Sequence, residues 1–218
     1  MTSRERSTGA DPGARPDQGR DQDDLVVLVD DLGRPCGTAP RGHVHGSATP
    51  RHLAFSCHVL DGAGRVLVTR RALAKRSWPG VWTNAFCGHP RPGEAVVQAV
   101  RRRAADELGL TLPTPPRVVL PAFSYRAVDD AGTEENELCP VLVAIVGTDA
   151  PAPDPDPMEV AAWRWVAVED LVVAADVAPW AFSPWLVAQL GELEALGGLE
   201  AAAVEAVPSP AVAWAADA

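Results

Sequence analysis

Cysteine is scarce and scattered in this chain. Cys36, Cys57, Cys87 and Cys139 form no close pair, which argues against a disulfide scaffold and against a cysteine zinc site. No run of about 18 apolar residues occurs, so no membrane-spanning helix is expected. Residues 1–24 lack the apolar segment of a secretion signal, and a reducing cytoplasm is the expected compartment. No internal repeat is visible. Tyrosine is scarcer than cysteine, with Tyr125 alone. Acidic residues are nearly missing from one long stretch. Between Arg41 and Arg103 only Asp61 and Glu94 stand against eleven lysines and arginines. The net charge of −10 speaks against a nucleic-acid partner over most of the surface. The basic block inside an acidic protein suggests an anion site, with phosphate the expected anion.

With 218 residues the chain can bury one sizeable core. Residues 1–23 are polar, with almost no large apolar side chain, and are expected to be a disordered arm. The expected domain spans 24–196, and an alanine-rich tail over 197–218 reads as helix or disorder. Leu25–Val29 reads as a buried strand. His52–Leu60 alternates, with Leu53, Phe55, Cys57 and Val59 on one parity, which predicts a half-buried strand. Asp61–Gly64 signals a hairpin to a strand beginning at Arg65. Apolar residues at Val96, Val97, Val100, Ala104 and Leu108 predict a helix over 94–108, stopped by Gly109. Strands are expected over 118–127, 135–147 and 163–168, a short helix from Glu169, and a last helix near 185–196. Hairpins intermixed with helices predict an α+β protein, a mixed sheet flanked by helices, rather than a doubly wound sheet. A monomer is the default.

The five histidines all lie between residues 43 and 89, a clustering that suggests metal ligands. His45 or His43, His52 and His89 are the candidates, whereas His58 is expected to face solvent or pack. On a strand, Glu135 and Glu137 share one face, and two such carboxylates repel unless a cation joins them. Three imidazoles and two carboxylates would leave one place open on a six-coordinate ion. Mn²⁺ or Mg²⁺ would suit the oxygens and Zn²⁺ the nitrogens. Cys87 sits in a turn walled by Trp78 and Trp82, near His89 and the arginines. A cationic setting there is expected to lower its pKa. Tyr125 could relay a proton or pack.

The segment Gly88 to Leu110 resembles the Nudix box, with Gly88, Glu94, Arg102, Glu107 and Gly109 in place. Arg103 and Asp106 stand where glutamates are usual. Arg103 fits a site that grips a diphosphate without cleaving it. The runs His52-Leu-Ala-Phe-Ser, Leu67 to Lys75, Trp78 to Asn84, Cys87-Gly-His-Pro90, Glu135-Asn-Glu137 and Pro179 to Trp185 resemble the type 1 isopentenyl-diphosphate isomerase family. The resemblance covers about residues 25–196. It implies a Nudix-type α/β/α sandwich and interconversion of isopentenyl and dimethylallyl diphosphate through a carbocation-like species. It implies Cys87, Glu137 and Tyr125 as catalytic residues. It implies a metal site of His45, His52, His89, Glu135 and Glu137, and Glu107 as the ligand of a diphosphate-bound Mg²⁺. Arg41, Arg71, Lys75 and Arg103 would contact the diphosphate, with Arg41 replacing a lysine of the family pattern. Trp185 would face the allyl portion. The competing readings are a Nudix hydrolase of nucleotide diphosphates and a binding protein without activity.

Overall fold

The computed structural model describes residues 24–205, so the arm expected over 1–23 and the tail beyond 205 lie outside the described residues. Strands β1 (Leu25–Val29) and β2 (Pro35–Pro40) form a hairpin, followed by the short helix α1 (Arg41–Val44). Strands β3 (His52–Leu53) and β4 (Phe55–Leu60) follow one another with only Ala54 between them. Next come β5 (Arg65–Arg71), β6 (Trp82–Thr83), β7 (Phe86–Gly88) and helix α2 (Val96–Leu108). Four strands succeed it: β8 (Arg117–Leu120), β9 (Ser124–Val128), β10 (Glu134–Leu138) and β11 (Val141–Ile145). The described chain ends with β12 (Val160–Ala167), α3 (Val168–Val177), α4 (Pro184–Glu194) and α5 (Leu199–Glu205).

Two sheets result. The smaller has the order β2-β1-β3-β10-β9, and the larger β12-β5-β4-β11-β8, with β6 on β5 and β7 on β4. The same two stretches of chain serve both sheets. β3 and β10 pair in parallel in the first, and their continuations β4 and β11 pair in parallel in the second. The passage falls at Ala54 on one stretch and at Cys139-Pro140 on the other. Proline has no N–H to give to a ladder, which is why the strand expected over 135–147 divides there. The strand expected over 118–127 also divides, into β8 and β9.

The larger sheet is covered on both faces. On one, α2 lays Val96, Ala99, Val100, Ala104 and Leu108 against Phe55, Cys57, Val59, Leu67 and Leu142. On the other, Leu171 of α3, Leu186, Leu190 and Leu193 of α4, and Leu199 of α5 pack on Leu60, Val66, Val68, Val141 and Val143. This is the expected α/β/α sandwich. It also corrects the half-buried strand: all six residues of β4 are buried, Ser56 and His58 among them. Alternation in sequence cannot show that a second layer of helices covers the polar parity. The packed body extends past 196, because Leu199, Ala202 and Ala203 join the core. Helix α2 ends as its sequence predicts. Gly109 takes φ 63°, and the N–H groups of Gly109 and Leu110 bond to the carbonyls of Ala105 and Ala104. Among the described residues, no helix is long and apolar enough to cross a membrane.

Candidate active site

Strand register assembles the centre of the site. Glu137 of β10 stands opposite His52 of β3 on one side and Tyr125 of β9 on the other. His45 arrives just after α1 and His89 just after β7. The Nε2 atoms of His89, His52 and His45 lie 3.2, 3.4 and 3.9 Å from one carboxylate oxygen, Glu137 Oε1. One ligand atom from each of these four residues falls within 4.8 Å of the others. His43 is exposed and takes no part.

The donor set fits a divalent cation. His52 Nδ1 donates to the Pro50 carbonyl at 2.9 Å, so its Nε2 carries a lone pair. That lone pair faces His89 Nε2 at 3.2 Å. His45 Nε2 is buried with no hydrogen-bond partner among the described residues. Imidazole nitrogens turned toward one another and toward a carboxylate are poorly satisfied alone and well satisfied by a metal. Burial pushes the His89 pKa down to about 3, which Glu137 only partly offsets. Burial would raise the Glu137 carboxyl, but the three histidines around it outweigh burial and hold the group well below its usual range. A neutral His89 beside an ionised Glu137 is the pair of states a metal needs.

Glu135 stays out of this set. Tyr125 donates to Glu135 Oε2 at 2.5 Å and lies 2.9 Å from Glu137 Oε2, while the Ser77 hydroxyl donates to Glu135 Oε1. Tyr125 therefore bridges the two carboxylates. Burial, reinforced by both acids, raises its pKa well above the ordinary phenol value.

These residues line one wall of a cavity of about 290 Å³ that also contains Cys87 and Trp185. Trp185 packs against Tyr125 and Trp78, with ring centroids 5.5 and 5.4 Å away, and the Arg71 guanidinium lies 5.3 Å from its ring. The expectation for Cys87 is reversed. Burial pushes its pKa up to about 11, the Ser56 hydroxyl beside it offsets only part of that, and Arg71 adds little. The nearby cations are instead neutralised or turned elsewhere. Arg71 donates to the carbonyls of Ser77 and Trp78. Arg103 pairs with Glu107 one turn along α2, Lys75 pairs with Glu159, and Arg103 and Arg41 approach the same Glu159 at 3.4 and 3.8 Å. Arg102 pairs with Glu94 at 2.8 Å rather than with Asp106.

The NUDIX domain profile matches residues 50–186. The isopentenyl-diphosphate Delta-isomerase of Frankia alni is 59% identical over 170 residues, covering 78% of this chain and 86% of the relative. The enzyme of that name from Clavibacter sepedonicus is 53% identical over 188 residues, 86% of this chain and 97% of the relative. The chain belongs to the isopentenyl-diphosphate Delta-isomerase family of Nudix proteins. Solved structures share the fold at low identity. A Deinococcus radiodurans protein aligns with TM-score 0.53 at 18% identity over 71% of this chain and 90% of its own. The MutT protein of Methanosarcina mazei aligns with TM-score 0.53 at 16% identity, over 68% and 96%.

For this isomerase-family chain, the structure brings together His45, His89, Glu137, Tyr125, Glu135, Cys87 and Trp185 around one cavity, with His52 fully buried beside Glu137. Arg41, Arg71, Lys75 and Arg103 line it too, with Glu107 behind Arg103. The isomerase-family motifs pass over Glu159. The sequence left it unremarked between a Pro/Asp-rich loop and a strand, with only its position before an apolar run as a signal. Burial would raise the Glu159 carboxyl, yet Lys75 and Arg103 hold it down at about 2. Ser77, Asn84, Ser56 and Gln189 were also passed over. The one signal for the last two is a polar side chain set inside an apolar stretch.

Proposed function

We propose that this chain interconverts isopentenyl diphosphate and dimethylallyl diphosphate by adding one proton to the five-carbon unit and removing another. The observation that carries this reading is the content of one cavity: a tyrosine bridging two carboxylates, a thiol and an aromatic face, with five lysines and arginines at its margin. Moving a double bond by one carbon needs an acid, a base and protection of a tertiary cation from water.

His45, His52, His89 and Glu137 would hold a divalent cation, Zn²⁺, Mn²⁺ or Mg²⁺, and its charge would strengthen the acid beside it. Tyr125, held between the carboxylates of Glu135 and Glu137, delivers the proton, and solvent returns one to its phenolate after the product leaves. Cys87, as its thiolate, takes a proton from the neighbouring carbon as the double bond re-forms and releases it to solvent before the next turnover; the roles exchange in the reverse direction. The Trp185 ring stabilises the developing cation, and its burial keeps that side of the cavity dry. Arg41, Arg71, Lys75 and Arg103 hold the diphosphate, and Glu107 would bind the Mg²⁺ that accompanies it. Arg103 replaces a metal-binding carboxylate of the hydrolases, which favours gripping over cleavage. A soluble monomer in a reducing cytoplasm is the proposed setting.

Incubation with isopentenyl diphosphate and Mg²⁺ in D₂O tests the reading. Deuterium should enter the allylic product without phosphate release. Cys87→Ala and Glu137→Gln should lose turnover by at least about 10³-fold while still binding inorganic pyrophosphate. Phosphate release without isomer, or near-normal turnover by either variant, refutes the assignment.

A further inference from the structure

The Cys87 sulfur lies between two buried polar side chains whose other hydrogen bonds fix what each can offer it. Asn84 is fully buried. Its Nδ2 donates to the carbonyls of Cys57 at 3.1 Å and Phe86 at 2.7 Å, so the amide cannot be turned around. Its Oδ1 accepts from Thr83 Oγ1 at 2.9 Å and Trp185 Nε1 at 3.1 Å, and faces Cys87 Sγ at 3.4 Å. Toward the sulfur, Asn84 is an acceptor.

Ser56 stands on the other side, opposite Cys87 in the pairing of β4 with β7. Its Oγ lies 3.3 Å from Cys87 Sγ and 3.5 Å from Cys139 Sγ. Gln189 of α4 donates to the same Oγ at 2.8 Å, and Gln189 Oε1 lies 3.1 Å from His58 Nε2. Ser56, His58 and Gln189 are all fully buried. The direction of this chain follows from His58. Burial depresses its pKa to about 4, so the ring is neutral and carries one proton. His58 Nδ1 has no partner among the described residues. A proton there would bury an N–H without an acceptor, so the proton belongs on Nε2, donated to Gln189. Gln189 must then give its amide hydrogen to Ser56. The Ser56 hydroxyl, with its oxygen already accepting, gives its own hydrogen to sulfur.

We infer that Ser56 and Asn84 are positioning residues for Cys87, Ser56 aimed as a donor to the sulfur by Gln189 and His58, and Asn84 accepting the thiol hydrogen. The thiol then has a partner on each side, and the thiolate keeps the Ser56 donor, which suits a group that must lose and regain its proton. The inference rests on the reading that Cys87 exchanges a proton with the substrate. Gln189 lies one turn beyond Trp185 on α4, so one helix supplies both the aromatic wall and the orientation of the thiol's donor.

Steady-state kinetics on the full chain with its metal tests this. Ser56→Ala should lower kcat about 10- to 100-fold, the size expected for one hydrogen bond to a charged group. KM for isopentenyl diphosphate and the Kd for inorganic pyrophosphate should stay within about twofold. Ser56→Thr, which keeps the donor, should recover most of the rate. Gln189→Met, similar in length but unable to orient Ser56, should also lower kcat without changing KM. It decides the matter if Ser56→Ala does not fold. Cys87→Ala is measured in parallel. If Cys87→Ala is inactive while Ser56→Ala and Gln189→Met turn over like the parent, this inference fails and the role of Cys87 stands. If Cys87→Ala remains active, the role of Cys87 fails and the inference falls with it. A loss expressed in KM rather than kcat also overturns it.

Discussion

Gly88→Ala is a sharp test of how tightly the site is built. Gly88 ends β7, one residue before His89 and one after Cys87. Its backbone lies outside the left-handed region, so an added side chain meets no conformational penalty, only its neighbours. A Cβ there would lie 2.9 Å from Arg103 Cγ and 3.0 and 3.2 Å from two atoms of the Phe55 ring. Phe55 is fully buried in the core and cannot yield. The Arg103 contact is at the stem, not the mobile end. Relief therefore requires β7 or α2 to shift. Overpacking of this kind costs about 1–3 kcal/mol. At about 2–4 °C per kcal/mol for a chain of this size, the melting temperature should fall by about 2–12 °C. Because the shift moves Arg103, affinity for inorganic pyrophosphate should fall as well. Gly191→Ala is the control. Gly191 lies in α4 with nothing within 4 Å of an added Cβ, so the change should stabilise by about 0.5–1 kcal/mol through helix propensity. Circular dichroism melts of both variants decide the matter. A Gly88→Ala protein that melts within 1 °C of the parent and binds pyrophosphate equally well would refute the close approach of β7 to α2.

Further outcomes are expected. Glu159 is held at about 2, below the ordinary glutamate value of 4.5. A depressed folded-state pKa means stability present above the unfolded value and lost as pH falls through the folded one. The melting-temperature gap between parent and Glu159→Gln should therefore be full above about pH 5 and close toward pH 2, and a constant gap would argue against the shift. At neutral pH the same variant frees Lys75, Arg103 and Arg41 from a competing anion, so metal-free pyrophosphate should bind several-fold tighter by calorimetry. Chelation should lower the melting temperature, and a divalent cation should restore it. That response should be lost in His52→Ala, since metal binding to the folded state adds stability by mass action.

Much of the site was legible because its residue types are unusual for their settings. Histidines gathered in one part of the chain, acids on a core-bound strand and cations in an acidic protein all point to metal and phosphate. Local periodicity gave α2 its extent to within two residues and its Gly109 cap. The pKa of Cys87 was read in the wrong direction because nearby charge can be counted along the chain, whereas burial cannot. Period 2 places Glu135 on the face of Glu137. Parity says nothing of Ser77 and Tyr125, which claim the two oxygens of Glu135.

The sequence by itself determined the chemical inventory, the helix and most strands, and the Nudix pattern with Arg103 inside it. These depend on residue type and short-range spacing. The tertiary structure alone decided the rest. Register between β3, β10 and β9 set His52, Glu137 and Tyr125 in one row. Two strands crossing from one sheet to the other put His45, His89 and Glu137 around a common cavity with the thiol. A second layer of helices buried Ser56 and His58 and made a directed chain of them. Each of these is a pairing between segments far apart in sequence, and its free energy depends on burial and contacts that no local window contains.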